Sequence, residues 1–63
     1  MDKDVTLIAV RAKIFEAECT MHGMIAENKM REIRGESPSY GEDSFQMVIK
    51  ELKRSIAILD LMI

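Results

Sequence analysis

The helix-breaking residues of this 63-residue chain gather in one place, Gly35-Glu36-Ser37-Pro38-Ser39-Tyr40-Gly41, which holds its only Pro and two of its three Gly. Long segments with helical periodicity lie on both sides. The chain therefore reads as all-α: two helices folded back into an antiparallel hairpin. Arg31 and Arg34 precede Gly35, and basic side chains in a last turn suit the negative end of the helix dipole. Gly35 is placed to take the left-handed conformation that closes a helix, and Pro38 blocks its continuation. Glu42 and Asp43 then suit a new N-terminus, and a cap at Gly41 would put Tyr40 and Phe45 at the two positions of a hydrophobic staple. Ser39 and Asp43 are competing caps, each with Glu or Gln three residues on. The expected layout is one domain over residues 1–63, with a helix at about 4–34, a connector at 35–41 and a helix at about 42–62.

The first helix, with Asp2 or Asp4 as its cap, carries two apolar stripes at steps of three and four. One contains Val5, Ile8, Ala12, Phe15, Cys19, His22, Ala26, Met30 and Ile33; the other Leu7, Val10, Ile14, Ala17, Met21, Met24 and Ile25. Arg11, Glu18 and Lys29 lie between them. A helix with two stripes expects neighbours on two sides. The second helix shows a coiled-coil spacing, Phe45, Ile49, Leu52, Ile56, Leu59 and Ile63, which predicts the hairpin core, and the final Leu-Met-Ile is expected to pack.

Lengths extend the argument. Helices of about 30 and 20 residues span about 45 and 30 Å. Folded back from Gly35, the second helix is expected to reach only Ile14, leaving Val5, Leu7, Ile8 and Val10 uncovered. A short chain buries only about 60% of its unfolded surface and gains stability by oligomerising. The expectation is a homodimer, two hairpins forming a four-helix bundle, with an interface of Val5, Leu7, Ile8, Val10, Ile14, Phe15 and Met21. A larger helical oligomer, or another protein filling the same groove, is the competing solution.

Composition narrows the function classes. The chain is 48% hydrophobic, the balance of a packed helical protein rather than a disordered one. A net charge of −2 gives no drive toward nucleic acid or anionic membrane. No apolar run approaches the roughly 20 residues that span a bilayer. The single Cys excludes an intrachain disulfide, and the Met-Asp-Lys-Asp start is unlike a signal peptide, so a reducing cytoplasm is the expected setting.

Three groups of residues could carry chemistry. Cys19 and His22, three apart on one face, could hold zinc, in a dimer as Cys2His2. Their place on an apolar stripe favours burial without metal, and no cofactor is expected. A Cys–His nucleophile needs a cleft and an oxyanion site that two helices do not supply, so no enzyme is expected. Lys50, Lys53 and Arg54 form a basic group, read as a solvated face rather than a nucleic-acid surface. Ser37, Ser39 and Tyr40 are explained by turn and capping roles.

Ala26-Glu27-Asn28, then Arg31, then Gly35-Glu36-Ser37-Pro38-Ser39-Tyr40-Gly41-Glu42-Asp43-Ser44-Phe45 resembles a segment of small accessory proteins of lambdoid bacteriophages and prophages. The resemblance covers about a third of the chain and implies a setting inside a bacterial host. The function expected is therefore a non-enzymatic interaction module, a phage accessory or regulatory protein. A small metal-binding bundle using Cys19 and His22, and a nucleic-acid-associated regulator, are the competing readings.

Overall fold

The computed structural model describes residues 3–62, which form two helices, α1 (Lys3–Ile33) and α2 (Glu42–Met62), with no strand among them. Asp4 lies inside the first turn of α1 rather than capping it. Asp2 and Ile63 fall outside the described residues.

Both ends of the connector follow from local chemistry. Gly35 has φ +75°, the left-handed conformation that costs Gly least. Its N–H donates to the carbonyl of Glu32 at 3.0 Å, and the N–H of Glu36 donates to that of Arg31 at 2.8 Å. This pair of bonds is a Schellman motif, which satisfies carbonyls that a helix end leaves open. The apolar contact usual across such a motif is replaced by charge. Glu36 pairs with Arg34 and, at 3.8 Å, with Arg31, which also bonds Glu27 one turn back at 3.1 Å. The restart uses Gly41, whose carbonyl accepts the first helical bond, from Phe45 N–H at 3.3 Å. Of the three candidate caps, the structure takes Gly41, with Glu42 and Asp43 in the first turn.

Between these ends the connector doubles back along α1. Asn28 donates from Nδ2 to the Tyr40 carbonyl at 2.8 Å and accepts the Tyr40 N–H on Oδ1 at 3.0 Å. One side chain thus holds both polar groups of a residue twelve positions on, as a neighbouring strand would. This corrects the expected register. α2 starts level with Asn28 rather than Gly35, and its 21 residues carry it about 31 Å down α1. Val48 shares a shallow groove with Ala17 and Thr20; Ser55 and Ile58 share another with Thr6 and Val10. The partner helix therefore passes Ile14 and reaches Thr6.

The contact is a single seam. On α1 the buried and half-buried side chains are Leu7, Val10, Ile14, Ala17, Met21, Met24, Asn28 and Arg31, at steps of three and four, flanked by half-buried Thr6 and Glu27. Val10 is 8% exposed, so it is covered within one chain and is not an uncovered residue; Leu7, Ile14 and Met21 are half-covered in the same row. On α2 the seam is Phe45, Val48, Leu52, Ser55, Leu59 and Met62. Phe45, Leu52 and Leu59 were expected there, but the helix is rotated toward Ser55, 5% exposed, and away from Ile56, 42% exposed. Packing alternates large with small across facing positions, and Ser55 sits where α1 presents Val10. Ile49 stays half-buried at the margin. Leu61 is 89% exposed, so the expected packing of the last residues does not extend to it.

The result is a rod of 49 × 17 × 14 Å with a radius of gyration of 15.0 Å, where a compact 63-residue domain has about 11 Å. It exposes 5050 Å², against roughly 4100 Å² for a compact monomer of 7.2 kDa.

Candidate interaction surface

Because the second stripe of α1 faces α2, the first stripe must face away from it. Val5, Ile8, Ala12, Phe15, Cys19, His22, Ala26, Met30 and Ile33 are all exposed. Ile8 and Phe15 are each 67% exposed, which separates them from Val10, two positions from Ile8 and on the opposite row. Cys19 and His22 were expected buried, and the structure corrects this: both are exposed, since their stripe is the one without a neighbour in the hairpin.

Which side of the hairpin each residue joins follows from helix geometry. Reversing a helix reverses the rotation seen from one end. In an antiparallel pair, residues just after seam positions therefore turn to the same side on both helices. On α1 these are Ile8, Arg11, Phe15, Glu18, His22 and Ile25; on α2 they are Gln46, Ile49, Lys53, Ile56 and Asp60. One broad side of the rod thus combines aliphatic and aromatic side chains from both helices. The opposite side carries Thr6, Lys13 and Thr20 from α1 and Met47, Glu51, Ile58 and Leu61 from α2, with Met47 and Leu61 73% and 89% exposed. The exposed apolar side chains that the two helices share make the side of Ile8 and Phe15 the candidate interaction surface.

The other groups are placed as follows. Cys19 and His22 share a face, and among the described residues no three His, Cys, Asp or Glu side chains come together as a metal site would require. The pair alone offers two ligands, half of a tetrahedral set. Lys50, Lys53 and Arg54 are exposed on the outside of α2, with Arg54 3.8 Å from Glu51. The methionines divide: Met24 is buried, Met21 and Met62 half-buried, and Met30 and Met47 exposed. Pro38 lies with Ile25, Asn28 and Phe45 around a hollow under the connector. Among the described residues no helix is long and apolar enough to cross a membrane.

Asn28 is the residue that sequence reasoning missed. Its signal was present: a polar side chain at a position where the seam's three–four spacing calls for an apolar one. Such a residue commonly sets register. Comparison of the chain with protein-family models, with curated proteins and with solved structures gives no match.

Proposed function

We propose that the chain is a non-enzymatic protein–protein interaction module that assembles first with itself, as a homodimeric four-helix bundle. The observation that carries this is the outward side of the hairpin, where Ile8 and Phe15 are two-thirds exposed beside Ile25 and Ile56. Burying an aliphatic or aromatic side chain contributes about 1.5–3 kcal/mol, a large part of what so small a chain has. The surface in excess of a compact monomer, about 900 Å², is close to the roughly 800 Å² that each partner gives to a stable interface. The expected interface is corrected in membership: Val5, Ile8 and Phe15 remain, while Leu7, Val10, Ile14 and Met21 serve the hairpin. The setting proposed is the cytoplasm of a bacterial host, as an accessory or regulatory protein of a phage or prophage. It rests on the resemblance of the turn segment, with a host or phage protein as a further partner.

Sedimentation equilibrium from about 1 to 100 μM tests the reading. A two-chain mass and a melting midpoint that rises with concentration are expected. A folded monomer with a concentration-independent midpoint overturns it. The metal reading keeps one specific support, the exposure of Cys19 and His22 on a shared face. Zinc at one ion per two chains in purified protein would establish it.

A further inference from the structure

We propose that the outward side is covered by a second copy of this chain lying antiparallel to the first, with the twofold axis at Phe15. The inference rests on the self-association proposed above and adds its geometry. Three observations lead to it.

The first is the layout of the apolar residues about Phe15. Ile8 and His22 lie seven residues before and after it, and the small Ala12 and Cys19 lie three before and four after. On α2, Val48 is level with Ala17 and Thr20, and Ser55 is level with Val10. Ile49 and Ile56, each the next residue, therefore lie about 4 Å to one side and about 9 Å to the other side of Phe15 along the rod. A twofold axis at Phe15 exchanges the positions on α1: Ile8 comes level with His22 of the partner subunit, and Ala12 comes within one residue of the partner's Cys19.

Charge supplies the second. Arg11 and Glu18 are the charged residues of α1 on this side nearest Phe15, one turn before and one turn after it, and Lys53 joins them from α2. The ion pairs of the described residues involve Glu27, Lys29, Arg31, Glu32, Arg34, Glu36, Glu51 and Arg54, and neither Arg11 nor Glu18 is among them. An antiparallel copy about Phe15 sets Arg11 beside the partner's Glu18, twice. A parallel copy in register sets Arg11 on Arg11 and Glu18 on Glu18. An antiparallel copy about Cys19 sets Arg11 near the partner's Lys29 and Glu18 on Glu18. Like charges in contact disfavour both.

The third is shape. The apolar residues of this side run along α1 from Ile8 to Ile25, about 26 Å of the rod. A second copy offers that length and the same apolar side.

The chain's single cysteine makes the register measurable. At 1.5 Å per residue, an axis at Phe15 separates the two Cys19 residues by about 12 Å along the helices, beyond the 4.4–6.8 Å between the Cα atoms of a disulfide. It brings Ala12 to within about 1.5 Å, along the axis, of the partner's Cys19. Within one chain, residues 12 and 19 are about 10 Å apart and cannot bridge. Under mild oxidation Ala12→Cys with native Cys19 should therefore become a covalent dimer. Neither the native chain nor Ala12→Cys in a Cys19→Ser background should do so. As a check without new thiols, Arg11→Glu should weaken association about tenfold, and Arg11→Glu with Glu18→Arg should restore it. A native chain that cross-links through Cys19, or a double charge reversal that fails to restore a dimer, overturns the Phe15 axis while leaving self-association intact. A monomer in sedimentation overturns both and assigns this side to another protein.

Discussion

Replacing Asn28 by Ala isolates the contact that sets where α2 begins. The substitution removes two hydrogen bonds to the Tyr40 peptide, at 2.8 and 3.0 Å, and leaves a good helix former in α1. A hydrogen bond contributes about 0.5–1.5 kcal/mol net, and these two are reached by solvent, so each belongs at the lower end. Their loss, about 1–1.5 kcal/mol, less a gain in helix propensity of about 0.6 kcal/mol, gives a destabilisation of about 0.5–1 kcal/mol. In a domain of this size that lowers the melting midpoint by roughly 2–8 °C. Asn28→Asp keeps the acceptor for Tyr40 N–H and loses the donor, so it should lose about half of that hydrogen-bond energy. Urea unfolding followed by circular dichroism measures the energies, and hydrogen exchange at the Tyr40 amide measures the contact itself. Exchange at Tyr40 should quicken in Asn28→Ala and stay slow in Asn28→Asp, with amides in mid-α1 shifted only by the global stability. Unchanged stability with unchanged Tyr40 exchange would refute the claim that Asn28 holds the connector.

Further outcomes follow from individual positions. Gly35→Ala should cost about 1 kcal/mol through its left-handed backbone alone, because an added Cβ meets nothing within 4 Å; the urea midpoint reads this directly. Gly23→Ala, also with nothing within 4 Å, should stabilise α1 by about 0.5–1 kcal/mol in a thermal melt. Val10→Asp buries a carboxylate in the seam and should cost more than about 3 kcal/mol, collapsing the helical signal at any concentration. Ile8→Asp leaves the seam intact and, acting twice in a symmetric dimer, should raise the dissociation constant at least about tenfold, as sedimentation would show.

The parts of the fold that were legible in the sequence are those decided locally. Gly35 after two arginines, Pro38, and the acidic start at Glu42 each have a short-range cause, and the break fell within a residue or two of its expected place. What was not legible depends on distance along the chain. Measuring the reach of α2 from Gly35 assumed a tight reversal, and Asn28 moved its origin to the other side of the connector. The rotation of α2 was hidden because Phe45, Leu52 and Leu59 belong equally to two stripes. Hydropathy prefers the one with Ile56, while close approach to Val10 selects the one with Ser55. The division of α1 into an inward and an outward stripe is a third case. Both stripes repeat at helical spacing, so only the position of the partner helix assigns Cys19 and His22 to solvent.

The rod has a consequence for how the molecule moves in solution. A body about three times as long as it is wide tumbles quickly about its long axis and slowly end over end. In both helices the amide N–H bonds lie close to that long axis, so their nuclear relaxation reports the slow motion almost uniformly. The connector's bonds point in other directions and relax with a mixture of the two rates. Side-by-side pairing adds width and little length, so it slows the spinning motion more than the end-over-end motion. End-to-end pairing would do the reverse. The ratio of relaxation rates between helix and connector therefore reports the manner of assembly from an isotope-labelled native chain.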